Sequence, residues 1–176
     1  MERFEDVLAV GGRTNSLGRA GEVLDLLRAD GSRTDELFAC IGADDAWVRM
    51  RAVDTFEKLV REDPGRGRPY VGRVLAELTT SDQPSVQWHV AQLVGELGLT
   101  TAQRATAIAW LEQRLATTDV DWIVAARSMA TLVAFAQEGH VAAAEVEPLL
   151  EVQQDHRSAS VRRKATRLRD ALRDRP

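Results

Sequence analysis

A single cysteine, Cys40, stands in the 176-residue chain. That excludes an intramolecular disulfide and any metal site built from several cysteines. Its setting in TDELFACIG, beside Phe38 and Ile41, reads as a small buried thiol rather than a reactive nucleophile. Histidine is scarce as well. His89, His140 and His156 lie too far apart to place two ligands on one helical turn, so no metal is implied. No run of apolar residues is longer than five, far short of a membrane span. The opening MERFEDVLAV has acids where a secretory leader needs a basic region, and the expectation is a cytoplasmic protein.

Catalytic patterns are equally sparse. The chain has no Gly-rich phosphate loop ending in Lys-Ser/Thr and no serine in a nucleophile-elbow sequence. The acidic pairs Asp44/Asp45 and Asp119/Asp121 flank helix starts and read as caps. The expectation is a protein that is not an enzyme and needs no cofactor.

What is present is a globular composition, 44% hydrophobic and 28% charged, which argues against disorder. A net charge of −4 gives no global basic field to hold nucleic acid. Charge is unevenly spread, however: from His156 onward eight Arg/Lys face only Asp170 and Asp174.

Internal repetition supplies the fold. VRMRAVDTFEKL from Val48, VQWHVAQLVGEL from Val86, VAARSMATLVAF from Val124 and VRRKATRLRDAL from Val161 align at spacings of 38, 38 and 37 residues. Four residues after each valine come Ala52, Val90, Ser128 and Ala165; seven after, Thr55, Leu93, Thr131 and Leu168. Eight after stand Phe56, Val94, Leu132 and the exception, Arg169. Those offsets form one stripe of an α-helix. A shorter helical pattern precedes each, with Leu37, Leu75 and Leu150 eleven residues before the valine, and Ile108, Leu111 and Leu115 in the third repeat. Each unit is predicted to be helix–turn–helix, hiding its apolar face by stacking on its neighbours.

Local signals agree. Thr34 reads as an N-cap ahead of Asp35 and Glu36, Asp44 or Asp45 as the next cap, and Pro84 as a first helical residue. Thr100 to Gln103 forms a capping-box pattern, Gly139 closes a helix, and Pro148 predicts a kink or a restart. Residues 2–10 and 17–29 read as two helices joined by GGRTNS. The predicted architecture is all-α, a right-handed α-α superhelix of about ten helices in five stacked pairs, forming one domain over residues 1–176. Residues 1–33 form an N-terminal cap, residues 34–156 three clear repeats, and residues 157–176 a basic C-terminal cap helix.

The DDAWVRMRA and SVQWHVAQLVGELGLT segments resemble those of HEAT-repeat proteins, armadillo-type α-solenoids. They are most similar to short single-domain bacterial members of unassigned function, over roughly Thr34 to Leu172. The resemblance implies a scaffold that binds proteins and, in some members, DNA.

PGRGRPY, residues 64–70, could in isolation be an arginine arm for a DNA minor groove. Its place between two repeats, behind Glu62 and Asp63, makes it a connector instead. DNA-alkylation-repair glycosylases, which share a related helical-repeat fold, pair aromatic residues with a carboxylate. Here the residues four after Trp47, Trp88 and Trp122 are Arg51, Gln92 and Ala126, and none is acidic. Trp47, Trp110 and Trp122 read as core or ridge residues.

Two offsets carry binding candidates. Three residues after each valine stand Arg51, His89, Arg127 and Lys164, on the flank of the buried stripe. Lys58 and Arg167 could extend this basic column, while Asp54 and Glu96 dilute it. Two residues after the valine come Met50, Trp88, Ala126 and Arg163. Both sets read either as solvated or inter-helix packing residues or as a contact surface. The functional expectation is a protein–protein interaction module for an acidic or extended partner, using Arg51, Trp88, His89, Arg127, Arg163 and Lys164 on an inner surface. Nucleic-acid binding by the same column and the C-terminal helix is the alternative, and a membrane is not a predicted partner.

Overall fold

The computed structural model describes residues 2–11 and 16–174. The chain is all-α, with no strand among the described residues. It divides into two compact units, residues 1–73 with 96–98, and residues 74–95 with 99–176.

The first unit is built around α4 (Ala46–Glu62). Against it pack α1 (Phe4–Ala9), α2 (Ala20–Ala29), α3 (Thr34–Cys40) and the single turn α5 (Pro64–Gly67). The repeat stripe points inward as its periodicity requires: Val48, Ala52, Thr55 and Phe56 are all buried. Phe38, Phe56 and Tyr70 form an aromatic trio with ring centroids 5.0–5.3 Å apart. Burying each such ring contributes roughly 2–3 kcal/mol. Cys40 is buried, as its apolar neighbours predict, and burial pushes the thiol up to about 11, away from the thiolate form.

Capping residues do most of what the sequence implies. The Asp45 carboxylate accepts from the Trp47 and Val48 amides at 2.7 and 3.3 Å. Thr34 is a correction. It is the first residue of α3, not its cap, and its hydroxyl donates back to Gly31 O at 2.7 Å, because a 3₁₀ turn (Gly31–Arg33) capped by Asp30 leads into the helix. Asp35 and Glu36 do occupy the acidic first turn. Of the predicted GGRTNS link, residues 12–15 lie outside the described residues.

The connector PGRGRPY is itself wound into α5 and a 3₁₀ turn (Arg68–Tyr70). Asp63 caps α5 through the Gly65 amide. Arg66 is spent on the fold: its guanidinium donates to Leu27 O at the end of α2. Gly67 is closely packed: a Cβ there would sit 2.4 Å from the Leu97 side chain and 2.9 Å from that of Val60, so one of them would have to move. α6 (Val71–Ala76) follows.

The second unit contains α7 (Pro84–Glu96, except its last residue), α8 (Thr101–Leu115), α9 (Trp122–Gln137), α10 (Ala143–Gln153) and α11 (Ala159–Arg173). α9 packs on α8, α10 and α11, and the Thr131 hydroxyl donates to Ala91 O of α7 at 2.7 Å. Thr100 and Gln103 form the predicted capping box. At Gly139 (φ +79°) the α9 end closes as a Schellman motif, with His140 N–H on Phe135 O and Gly139 N–H on Ala136 O. No restart occurs at Pro148: α10 runs continuously through it. Arg169, the exception in the stripe, is half-buried and donates to Gln154 Oε1.

Two hydrogen-bond habits recur. One residue after the repeat valine, Arg49, Gln87 and Arg162 each reach back to carbonyls of the preceding turn, at Ala43/Asp44, Ser81 and His156/Arg157. Within each unit, side chains also bind backbone about one repeat away. Trp110 donates to Thr79 O, and buried Gln153 to Leu115 O and Thr117 O. His156 accepts from the Ser158 amide at Nδ1, so Nε2 carries the proton it donates to Val120 O.

Candidate anion-binding surface

The four-cation column does not survive as an accessible row. Arg51 is 2% exposed. Its guanidinium donates to Leu8 O at 2.6 Å and Ser16 O at 2.9 Å, with a longer contact to Ala9 O. The end of α1 leaves carbonyls without helical partners, and a guanidinium has five donors to offer them. Arg51 is therefore a structural clamp within the first unit. His89 is a second correction. It too is 2% exposed, on a flank of α7 that is covered rather than open, with its ring 4.3 Å from that of Trp88. Trp88 is half-buried instead of presented as an open hot spot.

The tryptophans assigned to core or ridge separate. Trp110 is core, with its indole N–H satisfied by Thr79 O. Trp47 and Trp122 lie in the first turns of α4 and α9 and stand 41% and 54% exposed. Lys58 pairs with Asp54 at 2.7 Å, one turn away on α4.

The remaining cations come together in the second unit. Arg127 lies on α9 and Lys164 and Arg167 on α11, two helices packed side by side. Burial first, and then the positive charges of Arg127 and Arg167, lower the Lys164 ammonium below the ordinary lysine value. Among the described residues, the side chains of Arg127, Lys164 and Arg167 make no ion pair or hydrogen bond. Their neighbours on α11 differ: Arg162 is tied to turn carbonyls, Arg169 to Gln154 and Arg173 to Glu147. Arg163 is exposed on the outer face of α11.

Three like charges gathered without an ion pair cost the fold electrostatic energy that a bound anion would recover. Lys164, half-buried, supplies a point charge, and the two guanidiniums offer planar donor forks suited to carboxylate or phosphate oxygens. Sequence reasoning found Arg127 and Lys164 by their shared offset and Arg167 as an extension. It could not separate Arg127 and Lys164 from Arg51 and His89, because those four occupy the same wheel position. No family model, curated protein or solved structure matches the chain.

Proposed function

We propose that the chain is a non-catalytic protein-binding module of HEAT-like repeats, a right-handed α-α superhelix, and that the Arg127–Lys164–Arg167 surface receives an acidic segment of its partner. The repeat reading is supported by the four aligned valine registers, buried at Val48, Val86, Val124 and Val161, and by the recurring reach-back at Arg49, Gln87 and Arg162. The binding reading rests on one observation: Arg127 on α9 and Lys164 and Arg167 on α11, two packed helices, make no ion pair among the described residues, and the two guanidiniums act on the Lys164 ammonium. An extended acidic peptide satisfies them by charge complementarity, which sets encounter rate and register more than raw affinity.

The chain has two lysines, Lys58 and Lys164, so ¹³C-dimethylation gives each a separate NMR signal while keeping its charge. A peptide of about ten residues alternating Glu and Ala is the probe, titrated at about 50 mM salt where screening is weak. The expected result is a shift of the Lys164 signal alone and a rise in its titration midpoint, both lost in Arg127→Glu/Arg167→Glu. If duplex DNA shifts Lys164 instead, with affinity falling steeply between about 50 and 200 mM salt, the nucleic-acid alternative replaces the protein one. A Lys164 signal that neither probe moves overturns the binding surface altogether.

A further inference from the structure

The outer face of α11 and its C-cap carries six exposed residues in helical register: Arg163, Thr166, Arg167, Asp170, Ala171 and, at the cap, Asp174. They line a shallow depression of about 540 Å³. Their order has a two-fold pattern. About the midpoint between Leu168 and Arg169, Arg163 mirrors Asp174, Arg167 mirrors Asp170, and Thr166 mirrors Ala171. Opposite charges occupy each pair of mirrored outer positions, and small side chains the third.

This order works against the helix that carries it. Cations at the N-terminal end and acids at the C-terminal end oppose the helix dipole, and Arg placed before Asp is the weaker orientation for pairs one turn apart. Among the described residues, Arg163 and Arg167 pair with no carboxylate and Asp174 pairs with no cation, while Asp170 has a 3.8 Å contact with Arg169 and a longer-range attraction to Arg173. A solvated cap helix needs charge on its outer face but does not need it sorted into two opposed halves.

We propose that the occupant of this face is a second copy of the chain, the two α11 helices crossing antiparallel about that midpoint. Arg163 then faces the partner's Asp174, and Arg167 the partner's Asp170. Each pairing occurs twice, as an isologous interface requires. Thr166 meets the partner's Ala171 near the crossing, where small side chains allow close approach. The two helix dipoles are also opposed, and each basic end lies over the partner's acidic end. Four exposed ion pairs on a narrow face make a weak, salt-sensitive dimer.

Analytical ultracentrifugation of the full chain tests this. The wild type is expected to dimerise with a dissociation constant of about 100 µM or below at about 50 mM salt, rising at least tenfold at about 500 mM. Arg163→Asp/Arg167→Asp makes the face wholly acidic, and Asp170→Arg/Asp174→Arg makes it wholly basic. Each variant alone is expected to be monomeric, and their equimolar mixture to form a 1:1 heterodimer more stable than the wild-type dimer. All four positions are exposed, and circular dichroism checks that both variants stay folded. A wild type that is monomeric at about 500 µM in low salt overturns the proposal. So does self-association that persists in either variant, or a mixture that fails to pair. The Asp170→Arg/Asp174→Arg variant keeps Arg127, Lys164 and Arg167, so loss of dimerisation there is distinguishable from loss of acidic-peptide binding.

Discussion

Glu57 lies on α4 with 3% of its surface exposed. Burial and the nearby Glu96 carboxylate, with a smaller push from Asp54, raise its carboxyl from the ordinary 4.5 to about 7, against the pull of Arg61 at 3.3 Å and of Lys58. Between those two values the folded protein holds a proton that the unfolded chain has released. Stability is therefore predicted to fall as pH rises from about 4.5 to about 7, by an amount on the order of 2 kcal/mol. Urea titrations of Glu57→Gln across that range should show this component removed and the variant more stable than wild type at pH 8. Arg51→Met should act in the opposite sense. It leaves the Leu8 and Ser16 carbonyls without donors, and a loss of about 3 kcal/mol is expected in the same assay. Gly139→Ala forces a side chain into left-handed backbone and should cost about 1 kcal/mol.

Helices hold one another through a few buried polar side chains. Gln153, from the end of α10, satisfies the carbonyl of the last α8 residue, Leu115, and that of Thr117 in the turn after it. Gln153→Leu fills the space but orphans both, and should lower stability by about 2 kcal/mol and speed amide exchange in the turn after α8. The register that places these helices was legible in the sequence. Val48, Val86, Val124 and Val161 are buried at the offset that predicts them, and the Thr100 capping box and Gly139 closure form as their spacing implies. Such features are local, and helical period plus capping chemistry decides them. The fates of Arg51 and His89 were not legible, because a flank position is buried or open according to which distant backbone covers it. Half of the predicted cation column was lost for that reason. The restart offered at Pro148 fails for a different reason: α10 stays helical through it despite the missing donor.

In each unit one long helix collects its neighbours. α4 is contacted by α1, α2, α3 and α5, and α9 by α8, α10 and α11. Native-state hydrogen exchange should therefore find the slowest amides in the middle of α4 and of α9, with the short α1 among the faster. Equal protection along all helices would contradict this. Chemistry across the molecule is just as unevenly spread. Only two side-chain amines exist in the whole chain; Lys58 is held by Asp54, while Lys164 releases its proton more readily than an ordinary lysine. At neutral pH the free-base form is the nucleophile, so of the two lysines an acyl donor should react first at Lys164. A single acetyl group there would erase the central charge of the α9–α11 surface and leave both guanidiniums in place, a one-site chemical dial on the electrostatics of the molecule.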